Sequence, residues 1–170
     1  MISVTHESVM TEEVLENLVL SKKGFYVDCT FGAGGHSLKI LETLDKDGKL
    51  LSMDKDKEAT RVIPRKLIED SRFKIINDSF SQLSLYVKNE TANGILIDLG
   101  ISSTQLDDAE RGFSFQLDGP LDMRMGSKGL TAGELVNNSS ERELADIIWQ
   151  FGQDRHAKKI ARAIIQARII

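Results

Sequence analysis

Cysteine is almost missing from this sequence: Cys29 is the single one among 170 residues. That excludes an internal disulfide framework and a cysteine-based zinc site. Cys29 lies in an apolar stretch, where an inert core thiol is expected. Histidine is scarce as well. His6, His36 and His156 stand far apart without metal-ligand spacing, so no metal centre is expected. There is no cationic excess: 22 Lys and Arg face 26 Asp and Glu, for a net charge of -4. The protein as a whole therefore lacks the field of a nucleic-acid binder, and any such site has to be a local patch. No apolar run has the length of a membrane span. The N-terminus lacks the basic-then-apolar order of a signal peptide. These absences point to a soluble, cytoplasmic protein with no membrane partner. With two prolines against 13 glycines, it is mainly glycine that punctuates the chain.

What the sequence does contain is a glycine-rich turn between a strand and a helix. Phe25-Tyr26-Val27 suits a buried strand. Gly32, Gly34 and Gly35 follow, where the backbone can take positive φ and approach a small molecule closely. Leu38, Ile40, Leu41 and Leu44 then recur at helical spacing. Further on, Asp54 ends a second apolar run, at an offset where an acid commonly binds a ribose in a doubly wound nucleotide site. The dinucleotide pattern wants its third glycine where Ser37 stands. A carboxylate at Asp28, just ahead of the loop, would face an ammonium group and repel a pyrophosphate. S-adenosylmethionine, with an amino-acid end and an adenosine end, therefore suits this stretch better than NAD. The glycines alone also describe a plain strand-turn-helix without a ligand.

The remaining pattern is strand-then-loop, repeated. Residues 1–7 read as extended. Thr11 caps a helix carrying Val14, Leu15 and Leu18. Asp45 to Gly48 is a turn, and the second strand runs to Asp54. Asp56 opens a helix that Pro64 interrupts. Phe73 to Ile76 is a third strand, followed by a loop with Phe80. Gly94 to Gly100 is a fourth strand, with Asp98 near its end and the continuous apolar character of a strand covered on both faces. Strands alternating with helices predict an α/β fold, a Rossmann-like parallel sheet with its ligand at the carboxyl rim. The domain division expected is a cofactor-binding core over residues 1–105 and an inserted loop and helical region over 106–170.

Residues 101–130 show no period and hold Gly112, Gly119, Pro120, Gly126 and Gly129, the mark of a functional loop. Arg111 beside Phe113 and Phe115 can stack on an unpaired base, and Arg124 can hold a phosphate. The same aromatics can instead tie the loop to the core. Thr131 caps a short helix. Ser140 and Glu143 form a capping box for the next, which Gly152 ends. In the last helix Ala157, Ile160, Ala161 and Ile164 share one face. Arg155, Lys158, Lys159 and Arg162 share the other, without a single acid, as a phosphate-facing surface or an ordinary solvated one.

Taken as a set, HESVMTEEVL, DCTFGAGGHS, DKDKEA, LIDLGISSTQLDDAERGFSF, DGPLDMRM and HAKKIARAIIQAR resemble the RsmH (MraW) family. Its members are S-adenosylmethionine-dependent methyltransferases that modify N4 of a decoding-centre cytidine in small-subunit (16S) rRNA. The resemblance covers essentially the whole chain. It implies a class I methyltransferase core with a helical substrate domain inserted after the fourth strand, and 16S rRNA within the small ribosomal subunit as partner. It implies cofactor contacts from Gly34, Gly35 and His36, a ribose contact from Asp54, packing of Phe80 near the adenine, and Asp98 and Gln105 near the methionine end. Family members run longer and return to complete the sheet. An incomplete polypeptide with an open apolar edge at the fourth strand is therefore expected.

Asp98 is the expected catalytic group, by position alone. The better-known amino-methyltransferase signature is absent, because Leu99-Gly100-Ile101 follows Asp98. Two other readings share these residues: a NAD-dependent oxidoreductase on the same fold, and a non-catalytic RNA-binding or assembly module.

Overall fold

The computed structural model describes residues 8–168; the extended segment expected over residues 1–7 lies outside them. The described residues form two compact units. One runs to Gln105 and also takes in Met125–Ser127; the other holds Leu106–Arg124 and the chain from Lys128 onward.

The first unit is built on a parallel sheet of β1 (Phe25–Asp28), β2 (Lys49–Asp54), β3 (Phe73–Asn77) and β4 (Gly94–Leu96), in the order β3-β2-β1-β4. Helix α1 (Thr11–Leu18) precedes β1, α2 (Gly35–Thr43) joins β1 to β2, and α3 (Arg65–Ile68) joins β2 to β3. A 3₁₀ segment, Phe80–Leu85, leads toward β4, and α4 (Ser103–Asp107) follows it. This is the expected Rossmann-like α/β fold. The chain builds outward from β1 to β3 and then crosses to the other side of β1. The strand order thus reverses between β1 and β4, where open parallel sheets bind ligands.

Successive strand residues point to opposite faces, and the two faces hold two separate cores. Tyr26 pairs with Leu50, and both pack with Phe31, Ile40, Leu41, Leu44 and Leu67. Val27 pairs with Leu51, and both pack with Cys29 and Val87. Each fully buried large aliphatic side chain contributes about 2 kcal/mol of transfer free energy. Burial pushes the Cys29 thiol up to about 11, in keeping with an inert core position.

Three local expectations are corrected. Thr11 does not cap α1: Met10 holds that place in a left-handed conformation (φ 52) with no side-chain cap, and the Thr11 hydroxyl donates to the Ser8 carbonyl. Asp56 opens turns rather than a helix, its Oδ1 accepting the Glu58 N–H at 3.0 Å. A helix begun there would meet Pro64, which lacks an N–H and restricts Ile63; the short α3 forms only beyond it. β4 pairs over Gly94–Leu96 alone, and the expected cover on both faces fails. Ile95, Ile97 and Leu99 are 45%, 48% and 74% exposed. Beyond the ladder the Asp98 N–H donates to a side chain, Thr30 Oγ1. Gly152 does end its helix, α6 (Glu141–Gly152), as expected, and the left-handed cap beyond it is Gln153 (φ 52).

The second unit is helical, with α5 (Ala132–Asn138), α6 (Glu141–Gly152) and α7 (Ala157–Ala167). Leu144 and Ala145 of α6 pack with Ala161 of α7, flanked by Leu135, Ile164 and Ile165. Both Thr131–Glu134 and Ser140–Glu143 form complete capping boxes. Their hydrogen bonds hold the Glu134 and Glu143 carboxyls below the usual range. Among the described residues no helix is long and apolar enough to cross a membrane.

Candidate cofactor site

At the carboxyl ends of the strands lies a hollow of about 740 Å³, within the range that holds small-molecule ligands. Each strand end contributes to it. Phe31 and Gly32 come from the loop after β1, Gly35 and His36 from the start of α2, Asp54 and Lys55 from the end of β2, Phe80 from the start of the 3₁₀ segment after β3, and Asp98 to Gln105 from beyond β4.

The glycine loop is shaped by its own backbone and by Asp54. Gly32 and Gly34 both have positive φ, 53° and 81°, which disfavours any side chain there. Gly34 itself does not line the hollow: it is the N-cap of α2, and a Cβ on it would come within 2.7 Å of the Phe31 ring. Asp54 Oδ2 accepts the Gly32 N–H at 2.8 Å, and its Oδ1 accepts the Asp56 N–H at 2.8 Å. This acid fixes the loop while still facing the hollow with its remaining lone pairs.

Gln105 is buried, and both ends of its amide are engaged. Nε2 donates to Asp56 Oδ2 at 2.7 Å, and Oε1 accepts the Ser102 N–H at 3.0 Å. It builds the wall beyond β4 by tying that loop to the one after β2. Met125 joins the same wall, and the next residue is Gly126 because a Cβ there would press on the Lys55 carbonyl at 3.1 Å.

Asp98 and His36 meet at the rim, with His36 Nδ1 3.9 Å from Asp98 Oδ2. The His36 ring is buried, and its Nε2 lies 2.8 Å from the Val9 carbonyl oxygen.

One group does not stand where the sequence reading put it. The Asp28 carboxylate does not face a ligand's ammonium; it is fully buried. Its Oδ2 accepts the Ser37 hydroxyl at 2.6 Å, its Oδ1 accepts the Thr30 N–H at 3.1 Å, and Ser37 Oγ meets Ser52 Oγ at 2.7 Å. Desolvation raises its proton affinity, partly opposed by Ser37 and Thr30. This chain of three side chains escaped the sequence reading. The signal for it was Ser37, in the place where the dinucleotide pattern has glycine. A helix can approach a strand closely there through a hydroxyl as well as through a bare Cα.

The candidates in the second unit are arranged differently. Arg124 forks onto Asp122, with Nε at 2.9 Å from Oδ1 and Nη2 at 2.6 Å from Oδ2. That pairing holds the Asp122 carboxyl down at about 2, so the guanidinium is already committed to a carboxylate. Arg111 donates to the Arg124 carbonyl at 2.9 Å and lies 6.0 Å from the Phe113 ring centroid. Both arginines thus brace the loop. Phe115 is fully exposed. On α7, Lys158, Lys159 and Arg162 are exposed, and Arg162 Nε lies 3.4 Å from Glu141 Oε1.

The donor set of the hollow fits an adenosyl amino acid. It offers a carboxylate at Asp54 for a diol, a half-exposed ring at Phe80 for a base, a second carboxylate at Asp98 on the rim, and a backbone cradle open at Gly32, where an added Cβ would meet nothing nearer than 4.0 Å. The sequence model described as the MraW methylase family matches residues 3–170. Curated relatives include the ribosomal RNA small subunit methyltransferase H of Coxiella burnetii (strain Dugway 5J108-111), 45% identical over 96% of this chain and 55% of the relative. The protein of that name from Koribacter versatilis is 45% identical over 98% of this chain and 56% of its own length. That from Acinetobacter baumannii (strain SDF) is 47% identical over 96% and 55%. The chain thus spans about half the length of the curated relatives it matches.

Proposed function

From the chain's membership of the MraW methylase family we infer that it serves an rRNA methyltransferase: a methyl group passes from S-adenosylmethionine to N4 of a cytidine in the decoding centre of 16S rRNA, in the small ribosomal subunit. The observation that carries this reading is the gathering of Asp54, Phe80 and Asp98 around one glycine-walled hollow, each from a different strand end.

When bound, S-adenosylmethionine supplies a methyl group activated by the adjoining sulfonium charge. The residues of the chain supply position. Asp54 holds the ribose diol, and Phe80 lies against the adenine. The loop that Gln105 pins closes the amino-acid end. An exocyclic cytosine amine is a poor nucleophile, because its lone pair is delocalised into the ring. Asp98 accepts a hydrogen bond from that amine and keeps it in line for attack. The base has to leave its stack to reach the hollow, which suits a loop or single-stranded target. On the helical unit, the exposed Lys158 and Lys159 of α7 offer charge to RNA phosphates.

Calorimetric titration of the protein with S-adenosylhomocysteine and with NAD, followed by transfer of labelled methyl groups to 16S rRNA and to small subunits, tests the reading. Binding of the adenosyl ligand but not NAD, with label on a cytosine amine, is expected. RNA binding without any adenosyl binding would replace the enzyme with an assembly module.

A further inference from the structure

The buried ring of His36 is held by its far nitrogen. The Val9 carbonyl can only accept, so Nε2, 2.8 Å away, carries the hydrogen. In the neutral ring Nδ1 is therefore the bare nitrogen, and its lone pair faces Asp98 Oδ2 across 3.9 Å. Two acceptors confront each other with no proton between them. The carboxylate paired with the ring is Asp98, beyond β4. Asp54 and Lys55 line the same hollow from the end of β2. Asp98 is fixed from its other side by its own N–H, which donates to Thr30 Oγ1 at 2.9 Å. An imidazole nitrogen and a carboxylate oxygen so placed can share one proton. The separation is that of an ion pair rather than a hydrogen bond.

We propose that His36 is a positioning residue for Asp98, and that the pair jointly receives the proton that the acceptor amine must lose. This rests on the methyl-transfer reading. In that step the amine lone pair forms the new N–C bond while the C–S pair returns to sulfur. The nitrogen, now carrying one proton too many, releases it to Asp98 Oδ2, where His36 Nδ1 shares it before it passes to solvent. Donor, acceptor and charge balance with no other reactant.

Two variants separate this role from a structural one. His36→Gln keeps an amide donor for the Val9 carbonyl and removes the group facing Asp98. His36→Asn keeps a donor toward Asp98 and removes the tie to Val9. For His36→Gln, kcat at saturating cofactor is expected to fall roughly 100-fold, with any loss of S-adenosylhomocysteine affinity read separately by calorimetry. Without any turnover, NMR of the imidazole is expected to show the Nε2–H tautomer in the wild type. An unchanged kcat in His36→Gln, or an imidazole found as the Nδ1–H tautomer, would overturn the pairing and leave methyl transfer standing. Loss of ligand affinity with kcat retained would make His36 a cofactor contact instead. A wild-type protein that binds S-adenosylhomocysteine but methylates no RNA overturns the functional reading itself.

Discussion

Asp54 holds the glycine loop by accepting the Gly32 amide at 2.8 Å. The acid that faces the expected ribose is thus also the acid that shapes the cradle. Asp54→Ala is expected to weaken S-adenosylhomocysteine binding at least 10-fold, and to cost about 1–3 kcal/mol of stability by orphaning the Gly32 and Asp56 amides. Calorimetry and urea unfolding measure the two effects. A variant that loses affinity at full stability would remove the loop-shaping role.

Asp28 provides a pH signature. Its buried carboxyl has a raised proton affinity, chiefly through desolvation, so the folded protein binds that proton more tightly than the unfolded chain. The contribution to stability is complete below the ordinary carboxylate range and is lost as pH rises through the raised folded value. Asp28→Asn removes this dependence. The variant is expected to gain stability relative to wild type as pH rises from about 4 upward. Urea midpoints for both proteins across that range check it, and parallel curves would contradict it.

Ser37 donates to Asp28 and meets Ser52. Ser37→Ala leaves both buried partners short of a hydrogen bond, at an expected cost of about 1–3 kcal/mol. Ser37→Gly, which restores the dinucleotide spacing, is expected to destabilise at least as much and to gain no affinity for NAD. Measurable NAD binding by that variant would show that the hydroxyl had been the barrier.

The helical unit responds to its caps and its charge separately. Ser140→Ala or Thr131→Ala is expected to destabilise it by about 1 kcal/mol, seen as faster amide exchange in α5 and α6. The double variant Lys158→Gln, Lys159→Gln leaves folding and adenosyl binding alone, but lowers the slope of log affinity for RNA against log salt by about 1.5. An unchanged slope would return this face to plain solvation.

Much of the sheet was legible because β1 and β2 carry their information locally. Phe25 to Val27 and Leu50 to Met53 are apolar runs ending at acids, and both form strands where the pattern put them. β4 was overread. Ile95, Ile97 and Leu99 look like a doubly buried strand, but burial depends on which neighbours arrive, and composition does not carry that. The candidate site was legible in its residue types and less so in their duties. Asp28 and Asp54 look alike in sequence, each a carboxylate closing a strand. What separates them is the hydroxyl of Ser37, nine positions downstream of Asp28, and only the folded helix brings it under the carboxylate. Arg124 likewise offers a free charge on paper, and its partner two residues earlier claims it.

Phe31 belongs to the apolar cluster beneath the sheet and to the wall of the hollow at once, with Phe73 6.1 Å away, centroid to centroid. The floor of the cradle is therefore the roof of the core. Any occupant that stills this ring also stiffens the packing below it, so occupancy and heat resistance rise together.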